Sequence, residues 1–187
     1  VKELQSSLNL FTACLGGESV SASGSAAGDG ETVISIHSER HWLRREQELE
    51  TWVRAPKPRR RAKQTALLGN IQVDAELLGA LTLLKRKGLH TEFSCAGVSL
   101  LDEPEDHSLY AYMTLAASAS ADRFVRLAMR RMKHRLLVTF EPARGRYDLS
   151  SFYIGHNRSF CRLLERCAEV FRFSEHGEPD SGTVVDG

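Results

Sequence analysis

From Leu67 to Phe171 the apolar residues recur every third or fourth position in some stretches and every second in others. That change of period decides which stretches fold as helix and which as strand. Leu77, Leu78, Leu81 and Leu84 line one helical face, with Asp74 as N-cap and Gly88 where a left-handed residue closes the helix. Thr91, Phe93 and Cys95 then alternate with His90, Glu92 and Ser94. After an acidic loop of Asp102, Glu103, Glu105 and Asp106, Leu109, Ala111, Met113 and Leu115 alternate with Tyr110, Tyr112 and Thr114. A second helix starts at Ser118 or Ser120 and buries Val125, Ala128, Met129 and Met132. Leu136, Val138 and Phe140 mark a third strand, Pro142 to Gly145 a turn, and Tyr147 to Ile154 a fourth strand. A last helix carries Phe160, Leu163, Leu164, Cys167, Val170 and Phe171. This order predicts an α+β fold: a two-layer sandwich with a mainly antiparallel sheet of four to five strands and helices packed on one face. Alternating strands suit a sheet with one face partly exposed, unlike the unbroken apolar strands of a doubly wound parallel sheet.

Five segments follow from the composition. Residues 1–15 place Leu4, Leu8, Phe11 and Leu15 at helical spacing, an amphipathic segment that needs a docking surface. Residues 16–30 are Gly, Ser and Ala-rich and read as a flexible linker. In 31–66, Val33, Ile34 and Ile36 give a short strand, and Ser38 caps a helix with Trp42, Leu49, Trp52 and Val53 as its apolar stripe. That helix ends before Pro56 and leads into a basic arm. Residues 67–173 form the main α+β domain, and 174–187 an acidic, disordered tail.

With 25 basic against 24 acidic residues the chain is not a globally basic nucleic-acid binder, but neutrality says nothing of local patches. No apolar run approaches the ~20 residues of a membrane span, and the first residues make a poor signal peptide, so the expectation is a cytoplasmic protein without a membrane partner. The four cysteines, Cys14, Cys95, Cys161 and Cys167, include no C-x-x-C pair. They read as reduced thiols rather than a metal site.

The sharpest chemical feature is Phe93-Ser94-Cys95-Ala96-Gly97. Small residues and a glycine at a strand end let a ligand approach the backbone and leave amide donors for it; the same pattern also makes an ordinary tight turn. His90, His107, His134 and His156 fall near element ends, and His107 is the general-base candidate beside the Cys95 turn. A Cys95–His107 nucleophilic pair lacks an evident third, orienting residue.

The run from Gly69 to Gly97 combines Val73-Asp74, a Leu-rich helix, Gly88, Thr91 and the Ser94-Cys95-Ala96-Gly97 strand end. It resembles the opening of the wybutosine-synthesizing tRNA methyltransferase family, in which Val or Ile and Asp precede a helix and a Thr-rich strand ends in S-C-S-G. Phe140-Glu141-Pro142 resembles a Phe-Glu-Pro element of the same family. The resemblance spans Gly69 to Ile154, under half of the chain; Ala96 stands where the family has its second Ser and Val98 where an Arg commonly follows. It implies S-adenosylmethionine-dependent methyl transfer to a modified guanosine in tRNA, with Ser94, Cys95 and Gly97 lining the cofactor site. Methyl transfer needs little acid–base machinery, because the donor is already activated.

Between Arg54 and Lys63 lie Arg54, Lys57, Arg59, Arg60, Arg61 and Lys63 with no acidic residue. Lys85 to Lys87 and a helix bearing Arg123, Arg126, Arg130, Arg131 and Lys133 add to them. Together they suit a phosphate track for structured RNA or tRNA, with Arg126 and Arg130 on its helical part and Trp52, Tyr110 and Tyr112 as stacking faces. The competing expectation is a non-catalytic module that docks a protein partner or a second copy through its N-terminal segment.

Overall fold

The computed structural model describes residues 30–56, 63–98 and 107–172. The expectations for residues 1–15, the linker up to 29, Lys57, Arg59, Arg60, Arg61, the acidic loop and the tail lie outside the described residues.

The fold is α+β. In chain order the elements are β1 (Thr32–Val33), α1 (Glu39–Arg54), β2 (Thr65–Leu68), β3 (Ile71–Asp74), α2 (Leu78–Arg86), β4 (Thr91–Cys95), β5 (Tyr112–Ala116), α3 (Ala119–Met132), β6 (Leu136–Glu141), β7 (Arg146–Ser151) and α4 (Asn157–Val170). Five strands make one antiparallel sheet in the order β1-β6-β7-β5-β4. The expected short strand of 31–66 therefore belongs to the same sheet as the main domain, paired to β6 through Thr32 with Phe140 and Val33 with Thr139. β2 and β3 form a separate hairpin. The stretch from Gly69 to Asp74, which opens the resemblance, is mostly hairpin strand, with only Gly69-Asn70 at the tip. Its Leu67 and Ile71 are exposed, so it lacks the one-sided apolar signature that marks a strand in sequence.

Local chemistry accounts for the helices. Ser118 caps α3, its Oγ accepting from the Ala121 amide at 3.1 Å, and Ala121, Phe124, Val125, Ala128 and Met132 form the buried stripe. Gly88, at φ +68°, follows α2 in the left-handed conformation that favours glycine. Met113, Leu115, Leu136, Val138 and Leu149 are buried in one core with Leu77, Leu81 and Leu84, the α3 stripe, and Phe160, Cys161, Leu164 and Cys167 of α4. Each Leu or Phe buried there contributes on the order of 1.5–3 kcal/mol. Register places Thr114 opposite Asp148 and Asp148 opposite Thr139. Thr114 Oγ1 donates to Asp148, and Thr139 Oγ1 to Glu31, in a polar row across the strands.

The alternation expected for Thr91, Phe93 and Cys95 is broken. β4 carries a bulge, pairing Thr91 with Leu115 and then Ser94 with Met113. Two β5 positions face three of β4, so Ser94 takes the core-side register and Cys95, opposite Tyr112, turns to the other face. Phe93 is left exposed.

Candidate functional site

Antiparallel pairing brings the last residues of β4 and β7 and the first of β5 and β6 to one end of the sheet. That end collects Cys95 and the turn after it, His107 and Tyr110 ahead of β5, Phe152 to His156 after β7, and His134 and Arg135 ahead of β6. Of the histidines picked out from the sequence, His107, His134 and His156 sit there; His90, whose carbonyl accepts from the Ala116 amide, lies at the opposite end.

The Cys95 turn is held from three directions. Asp74 stands at the N-cap position of the short 3-10 turn Ala75–Leu77, but its carboxylate makes no capping bond there. It accepts from the Ala96 amide at 2.6 Å instead, which is a correction to its expected role as a helix cap. The Gly97 amide points to Cys95 Sγ at 3.4 Å. Gly97 has φ +72°, and a Cβ there would lie 2.4 Å from the Ala111 nitrogen and from Asn157 Nδ2. The backbone donors expected to await a ligand are therefore engaged inside the protein, and the glycine admits Asn157 rather than a ligand.

Asn157, at the first turn of α4, organises this corner. Its Oδ1 accepts from the Ala111 amide at 2.9 Å and from Ser151 Oγ at 2.5 Å, and its Nδ2 donates to the carbonyls of Val98 and Leu109, both at 2.8 Å. It is buried, and its contacts join β7 to both flanks of the 99–106 segment. No sequence signal beyond an Asn at a helix start marks it.

With the corner fixed, Asp74, Cys95 and His107 each present one donor atom, all within 4.8 Å of one another. Lys63 Nζ lies 3.8 Å from Asp74 Oδ2, its side chain almost fully buried. The expected pair of Cys95 and His107 is thus brought together, and Asp74 is the third residue that sequence did not place beside it. A group at this turn meets the side chain of Cys95, not a backbone cradle at Gly97, and Ser94 lies on the opposite, core-side face of the strand.

The rest of the sheet end is basic and aromatic. Arg45 reaches from α1 to donate to the carbonyls of Ser151 and Phe152, and its guanidinium lies 3.7 Å from the centre of the Tyr110 ring. Burial lowers the Arg45 pKa and raises that of Tyr110, whose buried hydroxyl finds no hydrogen-bond partner among the described residues. Tyr110, expected to stack on bases, has this face covered by Arg45. Glu48 accepts from the Ile154 and Gly155 amides at 2.7 and 3.0 Å and seats α1 on the turn before α4. His37 stacks on Phe152 at 3.9 Å, and burial holds its pKa down at about 4. His41 stacks on His134 at 5.3 Å; burial lowers the pKa of His156, and partial desolvation against its neighbours, together with the charges of His41 and Arg135, lowers that of the otherwise exposed His134. Arg44, Lys133, His134 and Arg135 are exposed around this group. Lys133 has φ 50° and ψ −129°, rare for a residue with a side chain, at the bend that delivers His134 and Arg135.

The remaining sequence-predicted phosphate contacts do not form one track. Arg126 is exposed and acts on Tyr147, near the start of β7 at the far end of the sheet. Arg130 is exposed on the last turn of α3, just ahead of Lys133. Arg54 is exposed and pairs with Glu50 at 3.5 Å, and Lys63 faces inward to Asp74. Lys87 is spent on structure, donating to the carbonyls of Ala168, Glu169 and Phe171 at the end of α4.

The fold and this corner define an α+β protein with a thiol, an imidazole and a carboxylate at one end of its sheet beside a basic, histidine-rich rim. The chain matches no protein-family model, no curated protein and no solved structure.

Proposed function

We propose that the protein is directed to RNA, that it contacts the phosphate backbone at this end of the sheet, and that its chemistry is S-adenosylmethionine-dependent methyl transfer to a modified guanosine of tRNA. The supporting observation is the gathering of exposed Arg44, Lys133, His134 and Arg135 at the same sheet end as the Cys95 turn. β4 and β6 are three strand spacings apart, ~14 Å, a span of about four stacked nucleotides. Phosphates on the rim therefore leave a base within reach of Cys95 and His107. The methyl-transfer part rests on the resemblance of Gly69 to Ile154, with Cys95 as the cofactor-facing side chain and His107 as the base that takes up the proton afterwards.

Two titrations separate the parts. Anisotropy of labelled tRNA is expected to show saturable binding that Arg44→Ala weakens; no binding by the wild type overturns the RNA reading. Calorimetry with S-adenosylmethionine is expected to show heat that Cys95→Ser alters; no heat at high protein concentration removes the methyl-transfer part and leaves the RNA part standing.

A protein-docking module is the second reading. Ile36, Leu43 and Val53 are exposed in and beside α1, Ile36 almost completely at 95%. Sedimentation of the full chain with Ile36→Ser and Leu43→Ser tests it: a lighter species than wild type supports docking of a second copy, and identical profiles oppose it.

A further inference from the structure

Asp74, Cys95 and His107 come from three separate places in the chain: the end of β3, the end of β4 and the approach to β5. Thiolate, imidazole and carboxylate together form a mixed S, N, O donor set suited to zinc-class ions rather than to magnesium or calcium, which prefer oxygen. In a tetrahedral zinc site such donors stand about 3.4–3.6 Å apart, given Zn–S near 2.3 Å and Zn–N and Zn–O near 2.0–2.2 Å. Their present separation of at most 4.8 Å is about 1 Å wider, within the reach of side-chain rotation.

The surroundings hold these donors as a second coordination shell does. The Ala96 amide fixes Asp74 Oδ2, which orients the carboxylate without exhausting its lone pairs. The bulge aims Cys95 away from the core, and Asn157 pins the backbone on both flanks of the segment that ends at His107. Of the described cysteines, Cys161 and Cys167 are buried in the core, while Cys95 is partly buried at the end of its strand. With Cys95 as thiolate, Asp74 and Lys63 give the site a net charge of −1 before a divalent ion enters and +1 after it.

We propose that Asp74, Cys95 and His107 bind a zinc-class divalent ion through three protein ligands, with a fourth position open to water or a substrate atom. Three ligands with one open position is the arrangement of catalytic rather than structural zinc. The proposal is separate from RNA contact at the rim, but an ion on Cys95 and His107 takes the groups that the methyl-transfer reading uses, so zinc binding here counts against that reading and leaves the RNA reading standing.

Cobalt(II) added to the reduced full chain tests it. The expected spectrum has the intense d–d absorption of a tetrahedral site and a thiolate-to-cobalt charge-transfer band, and zinc displaces both. Cys95→Ser is expected to abolish the charge-transfer band. His107→Ala, at a half-exposed position that leaves the core intact, is expected to weaken zinc at least about tenfold. Cys14→Ser and Cys167→Ser are expected to leave the spectrum unchanged. Absence of a tetrahedral spectrum in the wild type overturns the proposal, as does a spectrum that survives both Cys95→Ser and His107→Ala. Alkylation of Cys95 that His107→Ala slows and zinc does not affect overturns it in favour of a nucleophilic thiol.

Discussion

Asn157 and Gly97 make one device, because the amide of the first occupies the space that a Cβ on the second would need. Asn157→Ala leaves two buried carbonyls, one amide and one hydroxyl without their partner, so urea unfolding should show a loss on the order of 3 kcal/mol. Gly97→Ala combines a positive φ with overpacking against Ala111 and should cost a similar amount, about 3 kcal/mol, in the same measurement. Lys133 gives the opposite sign: at φ 50°, Lys133→Gly relieves strain and should raise stability by roughly 1 kcal/mol. A lower unfolding midpoint for that variant contradicts the strain. His37 sets a pH dependence. Its folded pKa of about 4 lies below the ordinary histidine value of 6.5, so between these values the unfolded chain binds more protons than the folded one. This contribution is complete above pH ~6.5 and is lost as the pH falls towards 4, with His134 and His156 shifted in the same direction. The melting temperature should therefore drop over this window, and drop less in His37→Phe.

The helices are the elements most legible in sequence, because capping and stripe periodicity act within a few residues. Ser118→Ala should cost about 1 kcal/mol through its lost bond to Ala121, measured by thermal unfolding against Ser120→Ala, which should be near neutral. Ser38, Gly88 and the strands at 91–95 and 136–141 were equally readable, since their signals are local. The β4 bulge was not, because the face that Cys95 takes depends on its pairing with β5. Nor was the seating of α1: an arginine reads as a solvated residue, yet Arg45 is held between Tyr110, Phe152 and two carbonyls more than 100 positions away in the chain. The same holds for the site. His107 and Cys95 could be named from residue type and position, whereas Asp74 and Asn157 acquire their roles only once β3, β4 and α4 meet.

Near-neutral overall charge conceals a sheet end where Arg44, Lys133, His134 and Arg135 are exposed at the same end as a thiol, an imidazole and a carboxylate. Among the described residues no helix is long and apolar enough to cross a membrane. If this rim holds phosphates, each contact releases counterions, and affinity for tRNA falls with salt in proportion to the number of contacts. Arg126, at the other end of the sheet, supplies the internal control. The deciding measurement is the affinity of tRNA for the wild type, Arg44→Ala/Arg135→Ala and Arg126→Ala over a series of salt concentrations. Binding at the rim predicts weaker affinity and a salt slope shallower by roughly 2 for the double variant, with Arg126→Ala close to wild type. Equal slopes and affinities for the double variant and the wild type contradict it.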